Sequence, residues 1–192
     1  LPQGLRALEA ANTQMLMFHP SKKPSARVAE LARPVFVYVG RVAVEKNIES
    51  FLKLDLPGTK LVVGSGPSLD SLKAKYTDAV FTGPLHGDEL AAAYADSDVF
   101  VFPSKTDTFG LVLLEACAAG TPVAAYPVTG PKDVITDPTA GTLREDLHEA
   151  CMTSLDLKSE DARRYSEAFS WEAATDTFIE ALERTSVTGN ES

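Results

Sequence analysis

Cysteine is nearly absent. Cys117 and Cys151 stand far apart with no CxxC or HxxxH spacing around them, which excludes a disulfide framework and a zinc site of the familiar kind. Long apolar runs are missing too. Nothing approaches the roughly 18 consecutive apolar residues of a membrane span, and no basic start leads into an apolar signal segment. A soluble chain in a reducing cytoplasm is the expectation. Positive charge is also scarce, with 18 Lys and Arg against 27 Asp and Glu and a net charge of -9. That balance argues against a nucleic-acid binder, whose affinity comes chiefly from neutralising phosphates. The deficit is uneven. Residues 1–96 carry 11 cations and 10 acids, whereas residues 97–192 carry 7 and 17. An anionic ligand is therefore expected to be held by local groups of the first half or by helix N-termini, and not by a global field.

What is present is ordinary for a globular domain: 192 residues, 44% hydrophobic and 23% charged, enough for one large or two small domains. From residue 35 to about 123 the chain repeats a β-branched or aromatic run, a turn and a helix-period stretch, which is the rhythm of βαβ units. Strands are predicted at 35–39, 60–63, 79–81, 99–102 and 122–126, and helices at 47–54, 68–76, 88–94 and 109–119, with Gly120 as a C-cap. The first strand is continuously apolar, as in a strand covered on both faces. The fold expected is α/β, a doubly wound and mostly parallel Rossmann-like sheet, with function in the loops after residues 39, 63, 81 and 102. Around this core (34–145), residues 1–33 read as a lead-in and 146–192 as C-terminal helices. Those helices are placed at 144–155, 159–169 and 171–184, the last two opened by Ser159 and Ser170 caps. A weak helix at 5–18 and a packing role for Trp171 complete the expectation.

Three constellations bear chemistry. Glu115 is the only charged residue between Asp107 and Lys132 and is set in an apolar run. A buried carboxylate left without a donor costs several kcal/mol, so Glu115 either meets a donor inside the protein or is reserved for a ligand hydroxyl. Asp107, eight residues earlier, would stand roughly 12 Å away on a continuous helix. That is too far for a glycosidase-type acid/base pair, but suits two carboxylates on different parts of an extended ligand, with the N–H groups near Phe109, Gly110 and Leu111 facing a negative group. Asp107 reads equally as a helix N-terminal carboxylate. Second, Arg41 and Lys46 flank the turn Gly40-Arg-Val-Ala-Val-Glu-Lys-Asn47 after the first strand, a fork and a point charge suited to a diphosphate. The alternative is a surface loop with Lys46 paired to Glu45 or Glu49. Third, Gly64-Ser65-Gly66-Pro67 begins like a dinucleotide fingerprint, but Leu69 fills the last glycine's place, which weakens a nicotinamide reading and leaves a tight ligand-facing turn. His19 and His148 read as solvated, and His86 as a loop residue or a pocket lining. Ser104 lacks the context of a hydrolase nucleophile.

Taken together, Gly40-Arg41 with Lys46, Gly64-Ser-Gly-Pro67, Ala95-Asp-Ser-Asp-Val-Phe-Val-Phe-Pro-Ser104, Asp107-Thr-Phe-Gly-Leu-Val-Leu-Leu-Glu-Ala116 and Gly120-Thr-Pro-Val123 resemble the donor-binding half of a retaining glycosyltransferase of family four. The likeness spans about 34–134. It implies that Arg41 and Lys46 hold a nucleotide diphosphate and that Glu115 binds the ribose. Asp107, one methylene shorter than the family's glutamate, would hold the transferred sugar together with the segment Thr108, Phe109, Gly110, Leu111 and Val112. Gly40, Gly64, Ser65 and Gly66 would line the donor site, and backbone near Thr82 to Leu85 would meet the base. The resemblance implies no cofactor and no metal beyond the nucleotide-diphosphate sugar itself. It also implies a partner domain carrying the acceptor on the N-terminal side, for which some 34 leading residues are too few. The chain is accordingly expected to be a donor domain that binds nucleotide-sugar but transfers little alone. Membrane association, if any, would belong to the parent protein. Rival readings are half of a nucleotide-sugar epimerase, for which only His86 offers acid/base chemistry, and a non-catalytic nucleotide-binding module.

Overall fold

The central strands of the core are buried along both of their faces, and the alternation of side chains across a pleat explains how. The computed structural model describes residues 28–106 and 111–167. In it β1 (Val35–Val39), β2 (Thr59–Val63), β3 (Val80–Gly83), β4 (Val99–Phe102), β5 (Val123–Ala125) and β6 (Gly141–Leu143) form one sheet in the order β3-β2-β1-β4-β5-β6. Every neighbouring pair is parallel. Val35, Val37, Leu61, Phe100 and Val123 point to one face, where they pack with α3 (Gly87–Ala95) and α4 (Leu111–Ala118). Phe36, Tyr38, Val62, Val101 and Ala124 point to the other, against α1 (Ile48–Leu52), α2 (Leu69–Lys75) and α6 (Leu147–Ser154). Two further helices, α5 (Pro131–Val134) and α7 (Ser159–Glu167), lie on the first side, where Val134 and Tyr165 pack on its core. This is the doubly wound Rossmann-like arrangement expected. Its strand order reverses between β1 and β4, which opens a crevice at their carboxyl ends.

Three elements differ from expectation. The strand β6 escapes the sequence reading because it is three residues long and begins with glycine. Gly141 lies so close to β5 that an added Cβ would meet the Val123 carbonyl oxygen at 2.5 Å, so close backbone approach selected the residue and strand propensity did not. The first predicted helix divides into a 3-10 turn, Val44–Lys46, and α1. Ser159 is the first residue of α7, and its expected capping place is taken by Lys158, whose carbonyl accepts from Asp161 and Ala162. Gly120 closes α4 at φ 81° as foreseen. The expectations for the segments 5–18 and 171–184, with Ser170 and Trp171, lie outside the described residues.

Two ionic features are internal to the fold. Lys60 is almost wholly buried, donating to the carbonyls of Leu52 (2.8 Å) and Leu54 (3.2 Å) at the end of α1 and facing Asp78 at 2.9 Å. Glu49 joins α1 to α2 by accepting from Lys75 and from the Tyr76 hydroxyl. These bonds hold its carboxyl at about 2. Cys117 and Cys151 are buried, and desolvation pushes both thiols up to about 12, so neither is a nucleophile or a ready redox group.

Candidate functional site

The loop after β1 is fixed on three sides. Its backbone continues the sheet beyond the strand end: Gly40 N–H donates to the Val63 carbonyl (3.0 Å), Val42 N–H to Ser65 (2.9 Å), and Ser68 N–H back to Val42 (3.0 Å). The two glycines of Gly64-Ser-Gly66 exist for this contact. A Cβ on Gly64, which sits at φ 144°, would lie 1.9 Å from the Gly40 carbonyl oxygen, and one on Gly66 2.2 Å from that of Val42. The glycine-rich turn is therefore a seam between two loops as well as a lining of the groove. From β1, Tyr38 donates its hydroxyl to the Arg41 carbonyl in the loop at 2.9 Å.

The third attachment is Asn47, the last residue of the turn that carries Arg41 and Lys46. It occupies the left-handed region (φ 54°, ψ 30°) and so ends the 3-10 turn, and its Nδ2 donates to the Pro103 carbonyl in the β4 loop at 3.0 Å. Asparagine tolerates that conformation better than any other residue except glycine, which is the signal that was available. Asn47→Gly keeps the backbone but removes the tie. We expect it to cost about 1 kcal/mol, a fall of about 2–4 °C in melting point, and to increase hydrogen exchange in 41–47, read by mass spectrometry; unchanged exchange there would show that the tie does not restrain the loop.

Between these loops lies a cavity of about 410 Å³ at the β1/β4 reversal, walled by Gly40, Arg41 and Lys46 on one side and by Ser104, Leu111 and Val112 on the other. A second depression of about 470 Å³ shares Gly40 and Arg41 and continues over Gly64, Ser65 and Gly66 to Pro84 and Leu85. The two form a groove along the carboxyl ends of β4, β1, β2 and β3. Most of the expected donor-site residues are thereby brought to one edge. Thr82 stays in β3, its hydroxyl donating to the Gly83 carbonyl, and Leu85 is the buried lining of its loop. His86 is exposed just before α3. His148 is half-exposed and bonds the Asp55 carbonyl at 3.0 Å. The expectations for Asp107, Thr108, Phe109 and Gly110 lie outside the described residues.

The electrostatics of the groove are local. Arg41 pairs with Glu45 at 3.1 Å across the turn, with both side chains more than half exposed. Such a pair is weak and yields readily to a stronger anion. Glu49 serves Lys53 (3.6 Å), Lys75 and Tyr76. Of the two fates open to Glu115, the internal donor is realised: the residue is 6% exposed and its Oε2 accepts from the Tyr94 hydroxyl on α3 at 3.1 Å. Burial, with the carboxylate beside it, drives the Tyr94 hydroxyl's pKa well above the usual 10, so the tyrosine remains a donor. Glu115 follows Leu111 and Val112 by one turn of α4, and unlike them it is not among the residues lining the cavity. Among the described residues no cluster of three or more His, Cys, Asp or Glu is placed to hold a metal ion, and no helix is long and apolar enough to cross a membrane.

Comparison with known proteins agrees with this architecture. Residues 33–156 match the family model of glycosyl transferases group 1. The chain is 37% identical over 165 residues to the sulfoquinovosyl transferase of Arabidopsis thaliana, covering 76% of this chain and 32% of that protein. It is 35% identical over 175 residues to a GDP-mannose-dependent alpha-mannosyltransferase of Corynebacterium glutamicum, covering 86% and 42% respectively. Among solved structures it superposes on sucrose-phosphate synthase from Thermosynechococcus elongatus with a TM-score of 0.67 and 25% identity, over 91% of this chain and 51% of that one. The Anabaena protein HepE in complex with UDP-glucose shares the fold, with a TM-score of 0.64 and 17% identity, over 88% of this chain and 55% of that one. The chain spans between about a third and two fifths of the length of the two curated relatives. A parallel sheet in this strand order, the cationic loop at its reversal and a family match over 33–156 together make the chain a member of the group 1 glycosyl transferases.

Proposed function

We propose that this chain is the donor-binding domain of a retaining glycosyltransferase that moves a hexose from a nucleotide-diphosphate sugar to a glycan or lipid acceptor, acting with a second domain that presents the acceptor. The observation that carries the reading is the cavity holding Arg41 and Lys46 at the β1/β4 reversal. There two cations from one rigid loop meet the place where doubly wound sheets bind ligands. In this reading Arg41 gives up Glu45 and clasps the diphosphate as a fork, and Lys46 supplies a point charge. Glu115, already oriented by Tyr94, receives the ribose hydroxyls. The base lies toward Pro84 and Leu85, and the transferred sugar, which the family likeness assigns to Asp107, lies toward the start of α4. As the bond to the sugar breaks, negative charge grows on the departing diphosphate, and the same cations stabilise it. The acceptor attacks from the face the diphosphate leaves, which preserves the anomeric configuration without a protein nucleophile. An epimerase half finds less support, since His86, its one candidate acid or base, is exposed ahead of α3.

A thermal-shift panel of GDP, UDP and ADP, each with and without its sugar, tests the reading. The names of the mannosyltransferase relatives place GDP and GDP-mannose first. At about 100 times its dissociation constant the preferred nucleotide adds about 2.7 kcal/mol, which raises the melting point of a domain this size by about 5–10 °C. The matching nucleotide-sugar is expected to exceed the bare diphosphate. A flat response to every nucleotide refutes the donor-domain assignment.

A further inference from the structure

One group on the cavity wall is used neither by the fold nor by the functional reading. Ser104 is 1% exposed and lines the cavity with Arg41 and Lys46, and its Oγ is buried with no hydrogen-bond partner. An orphaned buried hydroxyl carries a free-energy penalty. Alanine would fill this position at nearly the same volume without it. Nor is the hydroxyl placed there by slack in the chain. Ser104 follows Pro103, whose carbonyl is held by Asn47 Nδ2, and it ends the apolar run from β4, so its backbone is pinned beside the loop that carries the cations. The sequence offers the same hint: after Val99-Phe-Val-Phe-Pro103, Ser104 is the first polar side chain at the carboxyl end of the strand adjoining β1 across the reversal.

The chemistry of the neighbours defines what the hydroxyl awaits. Across the cavity stand Arg41 and Lys46, and the carboxylate of the same wall, Glu45, is turned to Arg41. A neutral donor beside two cations complements an anionic oxygen, where a hydrogen bond is strongest. We propose that Ser104 Oγ donates a hydrogen bond to a phosphoryl oxygen of the diphosphate held by Arg41 and Lys46, as the third donor of the site and the one contributed by the β4 side. This rests on the donor-domain reading and adds a ligand contact to it. The bond relieves the hydroxyl's own unmet demand, so the penalty present in the empty site becomes part of the preference for a phosphorylated ligand.

Isothermal titration of GDP, UDP and inorganic pyrophosphate into the 192-residue chain and its Ser104→Ala variant tests the assignment, with melting points of both proteins measured without ligand. For whichever diphosphate binds the wild type, the variant is expected to bind about tenfold more weakly, with pyrophosphate affected in parallel. The ligand-free variant is expected to melt at or above the wild type, because an unsatisfied hydroxyl has been removed. Equal affinity in both proteins overturns the role of Ser104 and leaves the donor-domain reading standing. A ligand-free variant that melts several degrees lower also overturns it, since the hydroxyl would then be serving the fold. Failure of all three probes, and of ADP, to bind the wild type removes both readings together.

Discussion

Gly64→Ala is expected to destabilise the domain by about 3 kcal/mol or more, seen as a fall of about 6–12 °C in melting point. The added methyl would sit 1.9 Å from the Gly40 carbonyl oxygen, and the residue holds φ at 144°. Neither constraint can be relaxed locally. The obstacle is main chain and not the end of a flexible side chain, and the bonds from Gly40 to Val63 and from Val42 to Ser65 hold both loops in place. Gly83→Ala is the matched control. It too has a positive φ, 76°, but a Cβ there meets nothing within 4 Å, so only conformational strain of about 1 kcal/mol applies. Equal melting points for the two variants would show that the seam between the loops yields more easily than its geometry implies.

The second large effect is on binding. Replacing Arg41 and Lys46 together by alanine is expected to weaken the preferred nucleoside diphosphate about 1000-fold, since each charge-assisted contact contributes about 1.5–3 kcal/mol. Loss of Arg41 should cost little stability, because its pair with Glu45 is exposed and such pairs contribute about 1 kcal/mol or less. Titration calorimetry gives the affinity and a thermal melt the fold. Retained affinity in the double variant is the outcome that removes these residues from the site.

The two cations were legible in the sequence because their position was. A continuously apolar strand followed by glycine and then Arg41 puts charge at a carboxyl end, and doubly wound sheets place ligands there. Glu115 was legible as an anomaly, one acid in an apolar helix, but its immediate partner was not. Tyr94 lies 21 residues earlier on a different helix, and no spacing rule connects them. Gly64 and Gly66 suggested a turn facing a ligand, whereas their first duty is to let a neighbouring loop approach, a requirement set by tertiary structure. Ser104 was weighed only as a nucleophile, and without a histidine beside it that role fell away. What makes it distinctive is the absence of a partner, which emerges only when the surrounding atoms are placed. β6 was hidden for the same reason as the glycine seam: Gly141 answers to the strand next to it.

Stitching of the β1 and β2 loops by main-chain bonds leaves this side of the groove with little freedom to adapt. A ligand meets it already shaped and gives up little entropy in ordering it. If the groove takes the proposed donor, adaptation to different sugars falls to the wall across the crevice, which includes α4. The β1 wall is the anvil of the groove, fixed before any ligand is struck against it.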